Sequence, residues 1–131
     1  MAQEGGAERR QYKRVTLDLP VFYRFRTSDP RLKIEKLTYQ GMTRNLSEGG
    51  LLMLGPLPDL AWISPLLMSK ILLDMTLELP GAARSIAVEG RAAWVEAKPS
   101  GLQDAMYGIT FGTVARESKE ALRAWIDERG T

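Results

Sequence analysis

The stretch VTLDLPVFYRF, residues 15–25, carries an apolar side chain at every second position. A two-residue period is that of a β-strand with one face in the core and the other in solvent. Pro20 falls on the face opposite these apolar residues, which indicates a sheet edge or a bulge. The segment therefore predicts a half-buried strand near the beginning of the fold.

The same alternation recurs further along the chain, between segments rich in turn-forming residues. Gly41 weakens the first of the additional strands. In the strand over residues 86–95, Trp94 shares a face with Ile86 and Val88 and is expected to pack in the core, whereas Arg91 is expected on the surface. Short strands joined by turns favour an antiparallel barrel or sandwich over a parallel sheet. The additional strands are predicted at residues 34–46, 51–54, 71–79, 86–95 and 105–111.

The hydrophobic period lengthens to that of a helix in the last part of the chain. Thr113 is the predicted N-cap of this helix and Gly130 its predicted C-terminal stop. The chain is thus expected to form about six strands followed by one C-terminal helix. The apolar side of that helix is formed by Val114, Ala121, Leu122, Trp125 and Ile126.

The composition limits the size of the fold and its chemistry. The 131 residues suffice for one core, so residues 1–8 are expected to be a flexible tail and residues 9–131 a single domain. The chain contains no Cys and no His, which excludes thiolate zinc sites and Ser-His or Cys-His nucleophiles. We therefore expect no catalytic residue, no metal site and no enzyme activity. Residues 1–7 lack the apolar core of a signal peptide, so a cytoplasmic location is expected.

Positive charge is concentrated in the first third of the chain. Residues 1–44 contain ten Lys or Arg and five Asp or Glu, whereas the net charge of the whole chain is only +2. Just before the first strand, residues 8–14 read ERRQYKR. Guanidinium groups bind phosphate and the O6/N7 edge of guanine, and the spacing of Arg10 and Arg14 lets both reach one ligand. The alternative is a solvated basic tail.

A second polar segment, RNLSEGG at residues 44–50, precedes an apolar strand. On an extended chain Asn45 and Ser47 point the same way, while Leu46 points into the core. Gly49 and Gly50 are expected to let the backbone turn with positive φ and to allow the close approach of a ligand. The alternative is a local turn in which the side chains bond only their own backbone.

The two segments together resemble the PilZ family. The pattern RxxxR, here Arg10 and Arg14, is followed about 30 residues later by NxSxxG, here Asn45, Ser47 and Gly50. Residues 90–95, GRAAWV, and residues 107–111, YGITF, also look like family positions. The resemblance extends from residue 8 to the final helix. It implies a fold dominated by β-structure, a six- to seven-stranded antiparallel β-barrel with one C-terminal α-helix.

The resemblance also implies a function as a receptor for cyclic di-GMP (c-di-GMP), bound outside the barrel beneath the N-terminal Arg arm. The resemblance implies that Arg10 and Arg14 bind guanine and phosphate, and that Asn45 and Ser47 form hydrogen bonds to the nucleotide. Gly50 leaves room for a base. Family members with an Arg directly before the first motif often bind two intercalated nucleotides, so Arg9 implies two per site. A Trp on the strand of Trp94 lies near guanine in some members.

Residues 57–69, LPDLAWISPLLMS, form a longer and more apolar connection than the family pattern suggests. Pro58 and Pro65 would break a membrane-spanning helix, so no span is expected here. We expect an irregular loop that packs over one end of the barrel. The alternative is a docking surface for an unidentified protein partner. Its exposed residues would be Trp62, Ile63, Leu66, Leu67 and Met68.

Three functional alternatives follow from these features. The favoured one is a c-di-GMP receptor that passes its signal to a protein partner through ordering of the Arg arm, with no cofactor besides its ligand. A second is a PilZ-fold protein-interaction module that does not bind the nucleotide. A third is a barrel that binds single-stranded nucleic acid, against which the small net charge weighs. We therefore expect no nucleic-acid partner.

Overall fold

A computed structural model describes residues 14–98 and 104–129, with residue 14 described by its backbone alone. Within these ranges the chain forms seven strands, a 3-10 turn at Leu60–Trp62 and two α-helices. Helix α1 spans Ile63–Leu67 and helix α2 spans Arg116–Arg129. The strands are β1 Arg14–Val15, β2 Leu19–Thr27, β3 Tyr39–Ser47, β4 Gly50–Pro56, β5 Ile71–Leu77, β6 Ile86–Ala97 and β7 Asp104–Phe111.

The strands close into an antiparallel barrel. Their order in the sheet is β1-β3-β2-β5-β6-β7-β4, and the additional pairing of β3 with β4 closes strands β2 to β7 into a ring of six. The short strand β1 continues alongside β3. The predicted architecture, an antiparallel barrel with a C-terminal helix, is confirmed.

The single strand predicted over residues 15–25 is interrupted. Residues 16–18 lie outside any strand, and Leu17, expected to be buried, is 43% exposed. Thr43 explains the break, because its buried hydroxyl accepts a hydrogen bond from the backbone N–H of Leu19 at 3.1 Å and lies 3.2 Å from the Leu17 carbonyl oxygen. Pro20 sits just after the break, and pairing of β2 with β5 begins only at Val21. The absence of an N–H group on Pro20 therefore removes no hydrogen bond between β2 and β5.

Two tyrosines anchor the end of β4. Tyr23 and Tyr107 are buried, and both hydroxyl groups donate to the carbonyl oxygen of Pro56, at 2.7 and 2.9 Å. Burial raises the pKa of both phenols above the ordinary value, and the proximity of the two rings adds to the shift for Tyr23. These bonds fix the point where the chain leaves the barrel for residues 57–69.

Residues 57–69 close one end of the barrel, as predicted, but they are helical rather than irregular. The carboxylate of Asp59 accepts from the Ala61 N–H at 2.9 Å and so caps the 3-10 turn. Pro65 is the third residue of α1, where its missing N–H has no intrahelical partner to lose. Leu66 is fully buried, and the Trp62 ring packs against Phe25 with centroids 5.1 Å apart.

Helix α2 packs at the opposite end of the barrel, where the β5–β6 connection and the β3–β4 turn lie. Three of its apolar residues are buried, and the indole N–H of Trp125 donates to the Pro80 carbonyl oxygen at 2.8 Å. The helix begins at Arg116, so the prediction of Thr113 as N-cap is wrong, and Ala121 is exposed. Gly130 lies outside the described residues. No helix within those residues is long and apolar enough to cross a membrane.

Candidate ligand-binding site on the outer barrel surface

The NxSxxG segment forms the end of β3, the turn and the start of β4. As predicted, Leu46 is buried while Asn45 and Ser47 face outward and are half-buried. The Ser47 hydroxyl accepts from the Gly49 N–H and donates to the Gly50 carbonyl oxygen, both at 3.3 Å. The Asn45 amide makes no hydrogen bond to any residue that the structure describes. As far as the described residues go, the amide is therefore open to a ligand, whereas the hydroxyl also supports its own turn.

A β-bulge turns these two side chains outward. The register between β3 and β4 shifts by one residue between Thr43 and Asn45, so that Arg44 is the extra residue. Without the shift, strict alternation from the buried Thr43 would direct Asn45 into the core and Leu46 outward. The bulge thus places the amide and the hydroxyl on the surface of the barrel.

The two glycines of the motif do not have the predicted backbone conformation. Neither Gly49 nor Gly50 has positive φ; among the described glycines only Gly81 does. Gly50 is required for another reason, since an added Cβ would lie 2.0 Å from the carbonyl oxygen of Ile109 on β7. The absence of a side chain at residue 50 therefore lets β4 and β7 approach closely, whether or not a ligand lies outside.

The first motif meets the second at the backbone level. In the pairing of β1 with β3, Arg14 is opposite Ser47 and Val15 is opposite Leu46. Strand β1 therefore runs directly alongside the NxSxxG segment. Arg9 and Arg10 lie outside the described residues, as does the side chain of Arg14. The register of β1 against β3 places Arg14, the last residue of the basic segment, beside Ser47 of the polar segment.

Trp94 lies on the outer surface, so its predicted place in the core is wrong. The register between β6 and β7 shifts between Ala92 and Trp94, and Ala93 is the extra residue. This second bulge reverses the alternation that places Ile86, Val88 and Ala92 inside. Trp94 is consequently 44% exposed. The hydrophobic pattern of the strand alone did not reveal the bulge.

Trp94 and Asn45 lie in one row across four strands. Asn45 is opposite Leu52, Leu52 is opposite Gly108, and Gly108 is opposite Trp94. Gly108 lies beneath the indole, because a Cβ added there would be 2.2 Å from Trp94 Nε1. Nε1 donates to no group within the described residues. The row thus carries the Asn45 amide at one end and the Trp94 indole at the other, and neither group has a hydrogen-bond partner in the part of the chain that the structure describes.

A parallel row lies nearer the β3–β4 turn. Ser47 bonds to Gly50, Gly50 is opposite Thr110, and Thr110 is opposite Arg91. We call the two rows together the outer platform; it spans three strand spacings, roughly 14 Å. Its two middle strands, β4 and β7, contribute small residues and the half-buried Leu52. The larger polar and aromatic side chains lie on the two outer strands, β3 and β6. The outer platform consists of Asn45, Ser47, Gly50, Leu52, Arg91, Trp94, Gly108 and Thr110.

The comparison with known families decides what this chain is. The PilZ domain family matches residues 8–128, nearly the whole chain. The chain is a PilZ domain. A comparison with curated protein sequences finds no match.

Solved structures share the fold of this PilZ domain. The PilZ domain of YcgR from Escherichia coli, solved with c-di-GMP, is 15% identical with a TM-score of 0.57, and the match covers 92% of this chain and 91% of that one. The Bacillus subtilis Inhibitor of motility (MotI/DgrA) is 20% identical with a TM-score of 0.63, and MrkH, a c-di-GMP-dependent transcription regulatory factor, is 14% identical with a TM-score of 0.60. Each of these two matches covers 92% of this chain and 50% of the other, so this chain spans about half their length.

Two carboxylates beside the outer platform of the PilZ domain are already paired with arginines. Glu48, in the β3–β4 turn, accepts two hydrogen bonds from Arg123, which raise the pKa of that guanidinium. Glu89, on β6, accepts a bond from Arg26, which also binds Asp74 at 3.0 Å. This pairing reduces the repulsion that these acids would exert on an anion at the outer platform.

The groups on the outer platform are suited to binding a ligand. It offers an amide, hydroxyl groups, an indole and a cation, which suit hydrogen bonding and stacking with a flat, polar, anionic ligand. Among the described residues no group of three or more potential metal ligands occurs.

Proposed function

We propose that this PilZ domain is a non-catalytic receptor for c-di-GMP, bound on the outer platform. The observation that carries the proposal is the β1–β3 register, which sets Arg14 opposite Ser47. This pairing brings the end of the basic segment to the hairpin that presents Asn45. The solved complex of the YcgR PilZ domain with c-di-GMP supports the same ligand.

The ligand fits the chemistry of the two motifs. c-di-GMP carries two phosphates and two guanine bases. In our proposal Arg10 and Arg14 bind guanine and phosphate, Asn45 and Ser47 hydrogen-bond the nucleotide, and Gly50 keeps the surface beneath a base flat. Charge-assisted hydrogen bonds contribute about 1.5–3 kcal/mol each. A micromolar Kd corresponds to about −8 kcal/mol, so several such bonds must act together to outweigh the cost of ordering the arm.

Ligand binding would also supply the signal. An arm that becomes ordered over the ligand changes the surface that a protein partner meets, which shifts the population of the partner-binding state. Arg9 directly precedes the RxxxR motif, and we propose that it helps to hold a second nucleotide stacked on the first. The stoichiometry would then be two nucleotides per domain.

Isothermal titration calorimetry with c-di-GMP tests the proposal. Wild type should bind with a Kd in the micromolar range or below, and Asn45→Ala and Arg10→Ala should each weaken binding at least about tenfold. Arg24→Ala is the matched control, because Arg24 is an exposed arginine on β2, away from the outer platform. No heat of binding to wild type at low salt would refute the receptor function. The molar ratio at saturation tests the two-nucleotide stoichiometry separately.

One observation favours a second candidate function, a protein-interaction module that does not bind the nucleotide. Leu60, Leu67 and Met68 are exposed on residues 57–69, although Leu57 and Leu66 of the same segment are buried. Exposed apolar side chains of this size are typical of contact surfaces. This candidate gains support only if wild type shows no binding of c-di-GMP.

A further inference from the structure

Arg91 faces the NxSxxG hairpin across the outer platform. It lies opposite Thr110, and Thr110 lies opposite Gly50, whose carbonyl oxygen accepts from Ser47. Directly opposed residues on neighbouring strands have their Cβ atoms about 5 Å apart. No large side chain stands between Arg91 and the hairpin, because residue 110 is a threonine and residue 50 a glycine.

The guanidinium of Arg91 is not neutralised by the described part of the chain. Arg91 is exposed and forms no ion pair there. Glu89, two residues earlier on the same strand, is bound to Arg26. Arg26 also holds Asp74, the residue opposite Glu89 on β5. The carboxylates nearest to Arg91 along its strand and on the next one are therefore engaged elsewhere, and its charge is available to an anionic ligand.

The bulge at Ala93 is what places this charge beside an aromatic ring. A regular strand would direct Arg91 and Ala93 outward and Trp94 inward. With Ala93 as the extra residue, Arg91 and Trp94 face the same side, opposite Thr110 and Gly108 respectively. The bulged strand thus builds one wall of the outer platform from a cation and an indole.

Charge and polarity change in one direction along this wall. The row of Arg91 contains hydroxyl groups and a cation. On the side of Trp94 away from Arg91, the next row of outward-facing residues also crosses the four strands. In that row Met42 is opposite Leu54, Leu54 is opposite Met106, and Met106 is opposite Glu96. That row is apolar and ends in a carboxylate, so it disfavours a phosphate. An anionic dinucleotide would lie with its phosphates toward Arg91 and a base toward Trp94.

We propose that Arg91 is a further ligand-binding residue of this domain and contacts a phosphate of c-di-GMP from the side opposite Ser47. This inference rests on the proposed receptor function. It assigns to the folded barrel a phosphate contact of its own, in addition to those of the N-terminal arm. The phosphate is then held between the hairpin and β6.

Calorimetric titration of c-di-GMP into Arg91 variants tests the assignment. We expect Arg91→Ala to raise Kd about ten- to a hundredfold in low salt, and Arg91→Glu to raise it further. Arg91→Lys should retain part of the affinity, since the charge remains. The loss in Arg91→Ala should shrink when the sodium chloride concentration is raised, because salt screens a charge–phosphate contact. Arg24→Ala, which removes another exposed arginine with no ion pair among the described residues, should bind like wild type.

The two proposals can fail separately. Wild-type affinity in Arg91→Ala and Arg91→Glu, with the wild-type protein binding normally, overturns the role of Arg91 and leaves the receptor function intact. Absence of binding to wild type overturns both. A loss in Arg91→Ala that does not change with salt overturns the phosphate contact. Unchanged thermal unfolding of the variants, expected for an exposed side chain, shows that the affinity change is local.

Discussion

Glu48 accepts hydrogen bonds from Nε and Nη2 of Arg123, each at 3.1 Å, and this pair joins the turn of the NxSxxG hairpin to helix α2. The Glu48 side chain is only 13% exposed, so its carboxylate depends on this partner more than a surface carboxylate would. The pair holds the helix that closes one end of the barrel against the hairpin that forms one edge of the outer platform.

We expect Arg123→Ala to lower the free energy of unfolding, because it leaves a largely buried carboxylate without its partner. Chemical denaturation measures the change. Arg116→Ala is the matched control on the same helix, since the Arg116–Glu120 pair is highly exposed and should contribute less than about 0.5 kcal/mol. In an Arg123→Ala, Glu48→Gln double variant the losses should not add. Full additivity would show that the two residues do not interact.

Gly50→Ala should destabilise the fold by about 3 kcal/mol and thereby reduce ligand binding indirectly. The added Cβ would lie 2.0 Å from a backbone oxygen of β7, which cannot move without disturbing the β4–β7 ladder. Thermal and chemical unfolding measure the loss. In Gly112→Ala, by comparison, the nearest atom is the end of the Glu89 side chain at 3.0 Å, which can give way. Equal stability of the two variants would contradict this account of Gly50.

Trp94→Ala should change stability by less than about 1 kcal/mol while weakening c-di-GMP binding. Truncation of a buried Trp typically costs about 3–5 kcal/mol, whereas the Trp94 ring lies on the surface. Unfolding curves and calorimetric titrations of the same variant separate the two effects. A loss of several kcal/mol would show that Trp94 is buried in the core. An unchanged Kd would show that Trp94 does not contribute to ligand binding.

Stability should fall at alkaline pH because of Tyr23 and Tyr107. Their folded-state pKa values are raised by burial, whereas an unfolded tyrosine titrates near pH 10. The unfolded state therefore releases these two protons first as the pH rises. The stabilisation is fully present below about pH 10 and is lost progressively above it, by about 1.4 kcal/mol per pH unit for each phenol.

Urea denaturation at pH 9 and pH 11 measures this dependence. Together the two phenols should lower the free energy of unfolding by roughly 3 kcal/mol at pH 11. Tyr23→Phe should remove about half of the pH dependence, while Tyr107 still donates to Pro56. A Tyr23→Phe variant with the wild-type pH profile would show that this phenol does not titrate differently in the two states.

Local sequence patterns predicted most elements of the barrel, although not the interruption at residues 16–18. A two-residue hydrophobic period predicted the strands and the buried side of most of them, and a helical period predicted α2. These patterns work because each side chain enters or leaves the core according to its own position in a regular element. They also predicted that Leu46 points inward between Asn45 and Ser47. The two motifs themselves came from a family resemblance, and the match to the PilZ domain family confirms that resemblance.

What only the tertiary structure decided is which side chains share the outer platform. The bulges at Arg44 and Ala93 exist only in relation to a partner strand, because an extra residue is defined by the register of the neighbouring ladder. No periodicity within one segment encodes that register. It determined that Trp94 joins Arg91 on the surface, that β7 requires a glycine at residue 50, and that Arg14 pairs with Ser47.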